Sequence, residues 1–279
     1  MTSSFITYRN EKYLPIPGPP LKDINFLDVQ FYVSSNFSKS SDIPEVRSIE
    51  NYTHYFIKES DLSSYLSQVI KSPENTSQDN LFNTLSSNMD ALLHNLKESQ
   101  FSPESLKLFN EYSTILSSQL QSQSIVDLVK IVVNGQNLNR TLFITILTQF
   151  VAKAMGWSNE NNLKKLMMAS FLCDIAKEDS DDFDHIPKAL ILLENAKLHS
   201  DIILSVKHHH EYQNGSGAYR IKRHHIHPFA KVITVCDDFY DFFIVKRVTS
   251  GLQFLNNNAP DKYDSGAVIA LSKLFKFKP

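Results

Sequence analysis

Ten histidines are present, and most of them lie between His185 and His227. The densest run, His208-His209-His210-Glu211, follows the apolar stretch Ile202-Ile203-Leu204-Ser205-Val206 and precedes Asn214-Gly215-Ser216-Gly217. Neutral imidazoles with carboxylates are the ligand set of zinc, iron or manganese. An internal run of three histidines is too short and badly placed for a purification tag. The competing reading is a polar helix end that has gathered exposed histidines, and the run alone leaves both open.

The elements that must position these side chains are mostly helices. Leu81, Leu85, Leu92, Leu93 and Leu96 support one helix, and Ser102-Pro103-Glu104 opens another with a cap, a first-turn proline and an acidic residue. Leu142, Ile146, Phe150 and Ala154 recur at helical spacing, with Gly156 as the stop. Ser158 is expected to cap the next helix, which carries Leu163, Leu166, Met167 and Phe171 into Cys173-Asp174. The first 75 residues read differently. Leu14 to Pro20 holds too many prolines for a helix. Leu27, Val29, Phe31 and Val33 alternate as in a half-buried strand, and Tyr52 to Ile57 predicts a second one. Ser60 is expected to cap a helix whose stripe is Leu62, Tyr65, Leu66, Val69 and Ile70. The expected organisation is a small α/β module at 1–75 ended by the linker stretch Lys71 to Ser77, linker and connecting helices at 76–123, and a helical domain at 124–279.

Composition narrows the function classes. Apolar residues make up 42% and charged residues 21%, ordinary values for a globular protein. A net charge of −2 offers no basic footprint for DNA or RNA. The most apolar stretch, Leu138 to Met155, is interrupted by Asn139, Arg140, Gln149 and Lys153, so no membrane span is expected. The opening MTSSFITYRN lacks the pattern of a secretory signal, and two cysteines are too few for a disulfide framework, so a cytoplasmic location is expected.

The order of several segments adds a resemblance. Leu172-Cys173-Asp174-Ile175-Ala176-Lys177 resembles the "LHDIGK" signature of HD-domain metal-dependent phosphohydrolases. His209 to Tyr219 resembles the "HHERxDGxGYP" mark of the HD-GYP family, Ala230 to Asp237 its "ARIxAVAD", and Tyr263 to Val268 its "FDPxVV". Four segments in the family's order are more specific than any one of them. The resemblance implies a mainly α fold, an HD-domain helical bundle behind the small α/β module. It also implies hydrolysis of cyclic di-GMP with two or three metal ions, commonly iron or manganese.

Carried across by the resemblance, the bridging aspartate is Asp174, the next histidine His185, the tandem pair His209 and His210, and the late aspartate Asp237, with Asp238 one residue away. Lys177 stands where the family has a lysine suited to hold a phosphate oxygen. Asp174 and Lys177 are thus the catalytic candidates, and Lys177, Arg140 and Tyr219 the substrate-binding ones. The plain alternative for Asp174 and Lys177 is a surface ion pair one turn apart. Other ligand positions are degenerate. The HD histidine is Cys173, and the earlier glutamate and histidine are Gln136 and Arg140. The family's tyrosine is Ala218, or Tyr219 if the loop is shifted.

The losses fall on one side. In the family, one metal depends on the early histidine, the HD histidine and the late aspartate; its neighbour depends on the bridging aspartate and three later histidines. One ion or none is therefore expected, with Arg140 aiming a positive charge at the depleted position. Cys173, with Cys236 nearby, suits zinc as a thiolate, or simply fills the histidine's space as a buried apolar group. His224, His225 and His227 read as exposed loop residues. Two functions remain: a divergent phosphodiesterase, or a degenerate signalling module that binds a cyclic dinucleotide or a signalling protein without turnover. A homodimer is left open.

Overall fold

The computed structural model describes residues 6–8, 11–16, 31–33, 55–71, 89, 91–122, 139–177, 183–245 and 248–276. The chain divides into two units, residues 1–117 with 136–139 and residues 118–135 with 140–279. Residues 72–77 of the expected linker, the leucine positions Leu81 and Leu85, and Gln136 lie outside the described residues, while Lys71 is helical.

The first unit carries an antiparallel sheet of four strands, β1 (Ile6–Tyr8), β2 (Glu11–Ile16), β3 (Phe31–Val33) and β4 (Tyr55–Lys58), in the order β1-β2-β4-β3. Pro15 sits in β2 opposite Phe56 of β4, and among the described residues β1 pairs with Glu11 to Tyr13. Helix α1 (Leu62–Lys71) buries Leu62, Tyr65 and Leu66, as its stripe predicts. Ser60 does not cap it. It lies inside a 3-10 turn, Glu59–Asp61, and its hydroxyl donates to the Asp61 carboxylate. Ser102 does act as a cap: its Oγ accepts from the Ser105 amide as α2 (Pro103–Ser122) begins.

The second unit is built around α3 (Arg140–Ala154), in which every residue from Leu142 to Gln149 is buried. A helix apolar on all sides belongs in the middle of a bundle, and α3 packs against α4 (Glu160–Leu172), α7 (Pro228–Val245) and α9 (Ser265–Leu274). Of its buried polar side chains, Thr148 donates to the Thr145 carbonyl and Gln149 to that of Leu163, while the Thr145 hydroxyl finds no hydrogen-bond partner among the described residues. Gly156, at φ +88°, ends it, while the amides of Gly156 and Trp157 bond back to Lys153 and Ala152. The cap of α4 is Asn159, which accepts from the Asn162 amide, one residue later than the expected Ser158.

Helices α5 (His185–Asn195) and α6 (Ser200–His208) follow, with α6 packed on α4, α5 and α7. Helix α8 (Val248–Asn258) bridges α7 and α9. Thr234 of α7 donates to the His209 carbonyl at 2.7 Å and so ties the end of α6 to α7. Among the described residues no helix is long and apolar enough to cross a membrane.

His208 and His227 make a second tie between α6 and the start of α7. The His227 amide donates to His208 Nδ1 at 3.1 Å, and the His227 ring meets Ser205 Oγ at 2.9 Å and Asp201 Oδ1 at 3.5 Å. His227 is therefore a packed structural residue rather than the exposed loop residue expected, whereas His224 and His225 are exposed. Burial, aided by the Lys207 charge, pushes His208 from its ordinary 6.5 down to about 4, and burial lowers His227 too, against the pull of Asp201. Both pKa values are depressed by folding, so the stability they give is complete above 6.5 and is lost as pH falls toward 4. The thermal midpoint is expected to fall over that window, and less steeply in His208→Gln; identical slopes would contradict it. In the core, Phe239 is fully buried against Phe243 and Phe275, and Phe239→Ala should lower unfolding free energy by about 3–5 kcal/mol in urea melts.

Candidate metal centre

Three helix ends deliver four donors to one place. Asp174 follows the last turn of α4, His185 is the first residue of α5, and His209 and His210 follow α6 directly. One ligand atom from each of these four residues lies within 4.8 Å of the others. His185 Nε2 and His209 Nε2 are 3.3 Å apart, and Asp174 Oδ1 is 3.6 Å from the first and 3.8 Å from the second. A tetrahedral ion with bonds of about 2.0–2.1 Å separates its donors by roughly 3.3–3.4 Å, close to these edges.

The protonation pattern suits the same use. His209 Nδ1 is 2.6 Å from the Val206 carbonyl, which can only accept, so Nδ1 carries the proton and Nε2 turns a lone pair to the group. Burial pushes His210 down to about 2 and keeps it neutral. Asp174 Oδ1 is buried and accepts no hydrogen bond among the described residues. An orphaned buried carboxylate oxygen facing two imidazole nitrogens fits a divalent cation.

The other oxygen of Asp174 faces Arg140. The guanidinium contacts Asp174 Oδ2 at 2.5 Å through one terminal nitrogen and Asp237 Oδ1 at 2.5 Å through the other, with Asp241 Oδ1 at 3.4 Å. The Tyr240 ring flanks it, 5.6 Å from centroid to guanidinium carbon. Burial opposes the charge on Arg140, but the aspartates outweigh it and raise its pKa further. Burial also presses on Asp174, yet His209, Arg140 and Lys177 together hold its carboxyl well below the usual range. Asp237 goes the other way: burial lifts it to about 7 even against the pull of Arg140. Of the two carboxyls that share the fork, Asp174 is the firm anion.

The remaining expected site residues fall around this centre. Lys177 Nζ lies 3.7 Å from Asp174 Oδ1 on a partly exposed side chain, the spacing of an ion pair one turn apart. Asp237 faces Arg140, whereas Asp238 turns to the hydroxyls of Tyr212 and Tyr263, which both donate to it. Cys173 is buried with its thiol donating to the Ser170 carbonyl, and neither it nor buried Cys236 belongs to the four-donor group. Burial pushes both thiols up, away from the thiolate that zinc requires. Tyr219 is exposed, with Lys207 over its ring.

Three contributors went unread in the sequence. Asp241 stands one turn beyond Asp237 on α7, a spacing that carries meaning only once Arg140 is placed opposite. Phe183, half exposed, sets its ring 5.2 Å from that of His210. Glu211 is buried and accepts from the amides of Tyr219 and Ile221, so it clamps the loop after the tandem histidines. Gly217 completes that clamp: a Cβ there would lie 2.5 Å from the His210 carbonyl oxygen and from the Glu211 Cα. Gly217→Ala is therefore expected to push His210 out of place and weaken divalent-metal binding at least tenfold by calorimetric titration; unchanged affinity would count against the clamp.

No protein-family model matches the sequence, and no curated protein matches it. Among solved structures, Bd1817, described as a HDG"Y"P protein from Bdellovibrio bacteriovorus, matches with a TM-score of 0.67. The match covers 95% of this chain and 99% of that one at 13% identity. The chain has an HD-GYP-like fold, mainly helical.

Proposed function

We propose that this chain is a degenerate HD-GYP-like signalling protein that binds a cyclic dinucleotide or a protein partner in the cytoplasm, with little or no cyclic di-GMP hydrolysis. The observation that carries this reading is the unequal state of the two halves of the centre. Asp174, His185, His209 and His210 converge as one metal position, while beside them Cys173 is buried apart and Arg140 engages Asp174 and Asp237. Two-metal phosphodiesterases need one cation to activate water and a second to clamp the phosphate oxygens.

Iron, manganese or zinc suits three imidazoles and a carboxylate, and such an ion would supply Lewis acidity there. Around it the chain's own groups have limited reach. Lys177 can meet a phosphate oxygen as a point charge. Arg140 is less suited to that task, since both of its terminal nitrogens face carboxylates. Tyr219 is exposed and available to a ligand. The second reading, a slow phosphodiesterase, is favoured by one observation, the complete four-donor group beside Lys177.

Metal analysis of the purified chain, with cyclic di-GMP binding and hydrolysis measured in parallel, separates the two. One metal equivalent or none, without hydrolysis, is the expected outcome. About two equivalents, with hydrolysis abolished by His209→Ala, would establish the enzyme instead.

A further inference from the structure

The geometry points to a centre of mixed composition. We propose that the Arg140 guanidinium is a permanent second cation of this site, joined to a single metal ion through Asp174, and that it sets how tightly that ion is held. This inference rests on reading Asp174, His185, His209 and His210 as a metal position. Asp174 divides its two oxygens: Oδ2 lies on Arg140, and Oδ1 faces His185 Nε2 and His209 Nε2 at 3.6 and 3.8 Å. A carboxylate that bridges two metal ions is shared in the same way, one oxygen to each cation.

The surroundings of Arg140 are those of a held ion rather than of a free surface arginine. Three carboxylates, from Asp174, Asp237 and Asp241, approach it from α7 and from the end of α4, and Tyr240 covers it. The Asp237 side chain is only 4% exposed, so its charge depends on this partner. Arg140 is the first residue of α3, whose positions from Leu142 to Gln149 are all buried.

A guanidinium differs from a metal in three ways. It is always loaded, because it cannot lose its proton or dissociate. It ligates no water and so activates none. It also repels the neighbouring dication, while its contact with Asp174 draws charge away from the shared carboxylate. Arg140 is in this sense a positioning and tuning residue, acting on the metal through Asp174.

The test is a titration of the metal-free full chain with cobalt(II), whose d–d absorption reports both occupancy and coordination. Wild type is expected to take up one equivalent. Arg140→Ala is expected to bind that ion at least about tenfold more tightly, because a close positive charge is gone and three carboxylates are released. Arg140→Lys keeps the charge but loses the fork, and should stay within about threefold of wild type. Arg140→Gln, which retains an amide donor for the carboxylates, carries the same expectation as Arg140→Ala should the smaller side chain unfold the unit. Unchanged or weaker cobalt binding in the uncharged variant overturns the proposal. His209→Ala serves a separate purpose: cobalt binding that survives it sinks the four-donor reading itself, whatever Arg140 does.

Discussion

The arrangement of the helical unit turns on a buried charge and what neutralises it. Asp237 lies in the middle of α7 with almost no solvent, and Asp174 closes α4 beside it. Two carboxyls brought this close demand a cation, a proton, or both. Arg140, entering from the first turn of α3, satisfies the first demand with its two terminal nitrogens, and the raised pKa of Asp237 shows how far the second still operates. Taking one partner from such a pair typically destabilises by about 3–5 kcal/mol, because the remaining charge is left in a poor solvent for it. The same contact therefore joins three helices and settles the electrostatics of the site.

That contact also divides the site. On one side of Asp174 the negative charge is met by arginine; on the other, an oxygen without a hydrogen-bond donor faces two imidazoles. The second side is shaped by ordinary helix-end chemistry. The Val206 carbonyl at the end of α6 fixes the His209 tautomer, and Thr234 fixes the His209 carbonyl. Glu211 and Gly217 hold the following loop against His210. Asp174, His209 and His210 are thus held by neighbours outside the group, as donors at metal positions commonly are. On the other side Cys173 packs inward with its thiol on the Ser170 carbonyl, and Arg140 supplies positive charge between Asp174 and Asp237.

For function, the important asymmetry lies between electrostatic balance and chemistry. An arginine can neutralise aspartates as a metal ion does, and so preserve the packing of a helical bundle whose core has aspartates facing each other. It cannot offer an open coordination position to water or to a phosphate oxygen. An arginine can in this way hold the packing without supplying that chemistry, which is the physical basis of the proposed reading of the chain as a binding module.

Much of the fold was legible in the residues themselves. The proline-rich start, the strand alternation at Phe31 and Val33, the stripe of α1 and the glycine stop at Gly156 are local signals, and local signals survive in one dimension. The helical spacing from Leu142 to Ala154 and the four ordered segments carried the bundle, and the types of Asp174, His185, His209 and His210 carried their candidacy as ligands. Caps were less legible, because Ser158 and Asn159 are both good caps and Ser60 had an acid next to it; neighbouring geometry, not residue type, decides between them. What only the tertiary structure decided was which partners these groups meet. That Arg140 meets Asp237 across 97 positions of sequence and joins it to Asp174, that Asp241 stands behind it, and that His227 is packed while His225 is exposed all follow from how helices cross. Charge pairing acts through space over a few ångströms, and no spacing along the chain encodes it until the helices are in place.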